Sequence, residues 1–195
     1  DSHTLFGIAS NSKAFTSAAL GMLVDEKKLD WNDRVTDIIP EFSLYDPYVT
    51  REFTIADLLT HRSGLGLGAG DLMIWPGRND FRLDDIIHNL RYLKPVSSFR
   101  TKYDYDNLLY IVAGEVIARV SGMSWNDFIE KRIMQPLGMT GSASTYSRLR
   151  DKSNVIDPHA PVNGKVQVIG RNFNEVADAA AGIYSNISDM SEWII

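Results

Sequence analysis

A lysine sits inside the first turn of a helix that must be buried, and a serine stands three residues before it. In Ser10-Asn11-Ser12-Lys13-Ala14-Phe15-Thr16, continued by Ala18, Ala19, Met22 and Leu23, the apolar positions recur at helical spacing. A helix is therefore expected from about Ser10 to Lys27, entered through the short apolar run Leu5, Phe6 and Ile8. Residues three apart on a helix share a face, with Cβ atoms about 5–6 Å apart, so the Lys13 amine can reach the Ser10 hydroxyl. Burial disfavours the charged form of an amine, and an uncharged amine accepts a proton. A serine hydroxyl is a weak nucleophile until a neighbouring base activates it, and Ser-Lys pairs are one way of doing so. The positive end of the helix dipole favours an oxyanion developing beside Ser10.

The spacing alone has little weight. With 17 Ser and 8 Lys in 195 residues, chance supplies roughly 0.7 Ser-x-x-Lys matches, and the chain contains one. A capping serine and a solvated lysine are the competing interpretation. The rest of the chain reads mainly as helix. Short helices are expected after Asn32-Asp33, over Thr54–His61 with a threonine cap, and from about Leu83 to Leu93 before Pro95. A longer one runs from Asn107 to Val120 and stops at Gly122. Ser124 opens another, Ser188-Asp189 caps a last one, and Lys165–Ile169 alternates like a strand. Strands are too few for a full sheet.

A length of 195 residues suits a single domain, and 44% hydrophobic with 23% charged residues suits a globular one. The net charge of −5, without a basic cluster, argues against nucleic acid or an anionic membrane as partner. No apolar run approaches the ~18 residues of a membrane span, and no signal peptide is present. Zero cysteine excludes disulfides and thiol chemistry and suits an oxidising compartment. Both ends, Asp1-Ser2-His3-Thr4 and Glu192-Trp193-Ile194-Ile195, read as interior sequence, which leads one to expect a partial domain.

Four segments, in order, together resemble the penicillin-recognising serine hydrolases: class C β-lactamases, DD-peptidases and related esterases. They are Ser10-Asn11-Ser12-Lys13; Thr54-Ile55-Ala56-Asp57-Leu58-Leu59-Thr60-His61-Arg62-Ser63-Gly64-Leu65; Tyr105-Asp106-Asn107 with Tyr110 and Gly114; and Pro136-Leu137-Gly138-Met139 before Thr140. Ala181-Gly182-Ile183-Tyr184-Ser185, followed by Asp189, adds a later echo. The resemblance implies an α+β fold of the β-lactamase/DD-transpeptidase type, with residues 1–195 as its mostly helical portion and the central antiparallel sheet incomplete. It also implies that Ser10 forms an acyl-enzyme and that Lys13 and Tyr105 share the proton work. Asn107 would bind the substrate amide and hold Lys13, and the Ser10 N–H would supply half an oxyanion hole. A free tyrosine, with a pKa of about 10, is a poor base at neutral pH; a neighbouring ammonium favours the phenolate, and the two groups titrate as a pair.

The chain departs from that family in three ways. Asp106 is acidic where the family has a small residue, and it would add charge if it faced the site. The Lys-Thr-Gly or His-x-Gly motif is missing, and so are strands before the serine. The implied substrate is a small molecule or peptide with an amide, ester or β-lactam carbonyl. No cofactor or metal is implied, the location would be periplasmic or secreted in a bacterium, and association could run through the open sheet edges. The rival reading is a non-catalytic homologue that binds a ligand or partner in the same cleft. Trp75 and Tyr103 are candidate pocket residues. His61 reads as structural, His3, His88 and His159 are dispersed, Asp84-Asp85 read as a solvated face, and Gly64–Gly70 as a flexible loop beside the cleft.

Overall fold

A computed structural model of the chain describes residues 1–75, 80–171 and 174–195. Two buried helices form its centre. The first, α1 (Ser12–Asp25), turns Phe15, Ala19, Leu20 and Leu23 inward. Around it in sequence come α2 (Val35–Ile38), α3 (Pro47–Glu52), α4 (Ile55–Leu59) and α5 (Leu83–Asn89). The second long helix is α6 (Leu108–Ser121), buried over almost its whole length from Leu108 to Ile117 and ended by Gly122 in the left-handed region at φ 71°. Three short helices follow: α7 (Trp125–Phe128), α8 (Asp178–Ala181) and α9 (Ile187–Ile194). Ser124 caps α7 by accepting from the Asp127 N–H at 3.1 Å, and the chain continues as a π-helical segment over Ile129–Met134.

Strand content among the described residues is two antiparallel pairs. β1 (Phe6–Gly7) pairs with β4 (Tyr184–Ser185), and β2 (His159–Val162) with β3 (Lys165–Val168). The second pair is an exposed hairpin whose turn, Asn163-Gly164, has positive φ at both residues, 51° and 75°. An Asn-Gly turn of that kind matches the natural twist of two joined strands.

Two expected boundaries move. The first helix begins at Ser12, because Ala9 takes φ 47° and Ala9–Asn11 form a tighter 3₁₀ turn. The last helix is capped by Asn186, whose Oδ1 accepts the Asp189 N–H at 2.9 Å; Ser188 is already inside it. Asp84 and Asp85 are exposed as expected, Asp85 accepting the Arg82 N–H at the start of α5.

The segment Thr54–Leu65 is a chain of local devices. Asp57 accepts from the Thr54 N–H and hydroxyl, closing the start of α4. Arg100 grips the same carboxylate through Nε and a terminal nitrogen at 2.8 and 2.6 Å. Burial pushes the Asp57 carboxyl up, but Arg100 and Thr54 outweigh it and hold it below the usual carboxylate range. Gly64 then turns the chain at φ 95°, where a Cβ would come within 2.7 Å of the Ser97 carbonyl oxygen.

Candidate active site

Ser10 occupies the 3₁₀ turn between β1 and α1, exposed, with left-handed Ala9 before it. A non-glycine residue at positive φ stores strain, and here it stands directly before Ser10 in the turn that leads into α1. Tyr105 Oη donates to Ser10 Oγ at 2.7 Å, and Lys13 Nζ donates to the same oxygen at 3.1 Å. A bond between two hydroxyls can run in either direction. The serine proton therefore has a route to the phenol oxygen or to the amine.

Lys13 is 6% exposed. Beyond Ser10, its ammonium donates to Asn107 Oδ1 at 2.8 Å and to the Ala180 carbonyl at 3.0 Å. Two of the three partners are obligate acceptors, and the third is a hydroxyl able to donate. The same seat therefore fits the ammonium and the neutral amine. Nζ also lies 4.8 Å from the centre of the Tyr105 ring and 5.3 Å from that of Tyr110.

The Ala180 carbonyl is delivered by a zip along α1. Ser12 Oγ accepts the Ile183 N–H at 3.1 Å, and Thr16 Oγ1 donates to the Ala179 carbonyl at 2.7 Å while accepting Trp125 Nε1–H at 3.0 Å. One helix face, Ser12-Lys13-Thr16, thus grips residues 179–183. Close passage requires Gly114 on α6, where a Cβ would sit 2.6 Å from that of Ala179.

Tyr105 is half-buried and stacks on His61, with ring centres 4.5 Å apart and planes 29° from parallel. His61 is itself buried, at φ 56°, and its Nδ1 accepts the Asp106 N–H at 3.1 Å, which leaves the ring proton on Nε2. Burial, and next the charge of Lys13, hold this imidazole below its ordinary pKa. His61 is thus a neutral platform under the phenol. Asp106 does not add a charge facing Ser10. It is fully buried, its Oδ1 accepts the Leu109 N–H at the start of α6, and burial pushes its carboxyl up to about 7.

Asp71 was not a candidate from the sequence. It opens the short turn Asp71–Met73, and its two oxygens lie 3.1 and 3.2 Å from Asn107 Nδ2. Its only sequence signal is an acidic residue closing a glycine-rich stretch. Gly68 N–H donates to the Tyr105 carbonyl at 2.9 Å, and a Cβ on Gly70 would meet Leu108 at 2.4 Å. The glycine segment is thus bonded to the Tyr105–Asn107 segment and pressed against the start of α6, where a flexible loop was expected.

Trp75, 40% exposed, lines a cavity of about 240 Å³ with Gly7, Ala9, Tyr146, Glu175 and Gly182, next to the serine turn. Tyr103, 62% exposed, stands on the other flank, edge-on to His61 at 5.4 Å. Ser10, Lys13, Tyr105 and Asn107 converge; Trp75 and Tyr103 surround them without touching Ser10. Among the described residues no cluster of His, Cys, Asp or Glu is arranged to hold a metal ion, and no single helix is long and apolar enough to cross a membrane.

Comparison with known proteins finds relatives over the whole chain. A family profile described as Beta-lactamase matches residues 1–195. The unguisins hydrolase ungD' of Aspergillus campestris is 34% identical across 97% of this chain, a match that covers 37% of that protein. The octameric penicillin-binding protein homologue of Pyrococcus abyssi superposes with a TM-score of 0.82 at 26% identity, over 98% of this chain and 44% of that one. A class C beta-lactamase superposes with a TM-score of 0.80 at 22% identity, over the whole chain and 50% of the other. The chain therefore spans little more than a third of the first of these relatives and about half of the solved structures.

Proposed function

The chain belongs to the beta-lactamase family, and from that premise we propose that it carries the acylation machinery of a serine hydrolase acting on an amide, ester or β-lactam carbonyl. The observation that carries the reading is the meeting of Ser10 Oγ, Lys13 Nζ and Tyr105 Oη within 3.1 Å. Ser10 Oγ attacks the carbonyl carbon while its proton passes to the Tyr105–Lys13 pair. The resulting oxyanion is met by the Ser10 N–H at the start of the helix. As the intermediate collapses, the pair returns the proton to the departing amine or alcohol and leaves an acyl group on Ser10. Water then hydrolyses the ester. Asn107 Oδ1 keeps the amine in place throughout.

The class of carbonyl follows from the nucleophile; the identity of the substrate rests on parts of such proteins that lie beyond this match. The similar proteins include a hydrolase of unguisins, and a peptidase or esterase role is favoured here over a true β-lactamase. An extracytoplasmic location suits a chain with no cysteine. The rival reading, a cleft that binds without turnover, is weakened because Asp106 is fully buried and bonded to the Leu109 N–H at the start of α6. The test is intact-mass spectrometry of the whole protein carrying this chain after exposure to a fluorophosphonate or a β-lactam. One adduct that maps to Ser10 and vanishes in Ser10→Ala is expected. Binding without any adduct, unchanged by Ser10→Ala, would establish the rival.

A further inference from the structure

We infer that Asp71 is a positioning residue of this site: it fixes the orientation of the Asn107 amide so that the amide oxygen is presented to Lys13. The inference rests on the serine hydrolase reading above and adds a residue to it.

Hydrogen-bond polarity fixes which end of the Asn107 amide meets which neighbour. An amide side chain can be turned end for end with little change of shape, so its orientation must be set by its neighbours. Asn107 is 4% exposed and lies between an amine and a carboxylate. An ammonium has no acceptor, and a carboxylate has no donor. With Nδ2 at 3.1 and 3.2 Å from the two Asp71 oxygens, the amide oxygen must face Lys13, and it does, at 2.8 Å. Turning the amide over would set two acceptors against each other at Asp71 and two donors against each other at Lys13. Asp71 thus acts on the Lys13 seat through one intervening side chain.

The backbone around Asp71 is built for this placement. The Asp71 carbonyl accepts the N–H groups of Ile74 and Trp75, at 2.9 and 2.8 Å, which fixes its turn. Gly68, three residues earlier, is bonded to the Tyr105 carbonyl, so the turn and the Tyr105–Asn107 segment move as one piece. A Cβ at Gly68 would come within 3.1 Å of Asp71 Oδ2, so glycine there leaves the carboxylate its space. No other side-chain bond of Asp71 competes with the one to Asn107 among the described residues.

Burial raises the Asp71 carboxyl above its ordinary value, and the Asn107 bond and the charge of Lys13 pull against that rise, one residue away from the proton-handling pair. The titratable groups that interact electrostatically with Lys13 are Asp71, Asp106 and His61, and the Tyr105 ring lies against its amine.

The experiment is a double-mutant cycle on Asp71→Asn and Asn107→Ala in the whole protein carrying this chain, with Asp71→Ala as a second variant and thermal melts as a check on folding. Rates of Ser10 modification by a fluorophosphonate, and kcat/KM for an activated ester, are measured across pH. Asp71→Asn should slow both by about 10- to 100-fold, through kcat more than through KM, with a melting temperature close to that of the parent. In the Asn107→Ala background the same change should do almost nothing, because its route is gone. Two results overturn the inference: modification within about twofold of the parent in both Asp71 variants, or an Asp71 effect of equal size with and without Asn107. A parent protein never modified at Ser10 defeats the serine hydrolase reading, and this inference with it; a parent modified normally with Asp71 variants just as fast defeats the inference alone.

Discussion

Lys13 and Tyr105 touch the same oxygen, but the fold depends on them differently. The Tyr105 hydroxyl contributes its bond to Ser10, while the ring keeps its stacking on His61 without that oxygen. Lys13 satisfies the buried Asn107 Oδ1 and Ala180 carbonyl as well as Ser10. Leaving a buried acceptor unmet costs about 1–3 kcal/mol. Tyr105→Phe should therefore lower kcat/KM by about 10²- to 10⁴-fold with an unchanged urea midpoint. Lys13→Met should lower both, losing a few kcal/mol of stability by the same estimate. Equal losses of stability in the two variants, seen in parallel urea titrations, would refute this separation of roles.

At the scale of elements, the site is a crossing of α1, α6 and α8, and the crossing is set by Gly114. An alanine there puts a methyl carbon 2.6 Å from Ala179, inside any allowed contact, so α8 must retreat. Retreat lengthens both the Thr16–Ala179 and the Lys13–Ala180 bonds. Gly114→Ala should thus destabilise by about 1–3 kcal/mol, as overpacking does, and slow Ser10 modification although it touches none of the reacting groups. A variant as stable and as reactive as the parent would show that the helices have room to spare.

The same crossing explains what could be read beforehand. Ser10 and Lys13 are one helical turn apart, so their meeting follows from helix geometry, and α6 announced itself through its apolar length and terminal Gly122. The Tyr105 and Asn107 contacts to Ser10 and Lys13 were implied by resemblance, since nothing in local spacing ties residues 95 and 94 positions apart. The Ala180 carbonyl was invisible because a backbone oxygen carries no residue identity. Asp71 was missed because an acidic residue after glycines is indistinguishable from a turn. β1 and β4, two residues each, are too short to show alternation, whereas the alternation over Lys165–Ile169 did mark β3 and left its partner β2 unread.

Over the whole molecule, a few buried ionisable groups set the response to pH. Burial pushes Asp106 up to about 7, against its helix-start bonds, and pushes Asp178 up to about 7, against bonds from Asn126 and Thr145. A raised carboxyl favours the folded state when protonated, so its contribution is complete below the ordinary value of 3.8 and is lost as pH rises through about 7. His61 runs the other way. Its lowered pKa favours the folded state when neutral, so its contribution is present above 6.5 and fades as pH falls. Between pH of about 6 and 8.5, two carboxyls remove about 3 kcal/mol, at 1.36 kcal/mol per pKa unit, and the histidine returns a part of it. Asp57, held low, changes its contribution only in more acid solution. Urea unfolding should therefore show the chain more stable at pH of about 6 than at about 8.5, by up to about 3 kcal/mol. Asp106→Asn keeps an oxygen for the Leu109 N–H and removes the buried charge, so it should raise stability at the alkaline end and leave the acid end nearly unchanged. With one of the two carboxyls gone, the pH dependence should shrink by about 1 kcal/mol. A parent profile that rises toward alkaline pH would mean that water reaches both carboxyls and that α6 and α8 are packed more loosely than their hydrogen bonds imply.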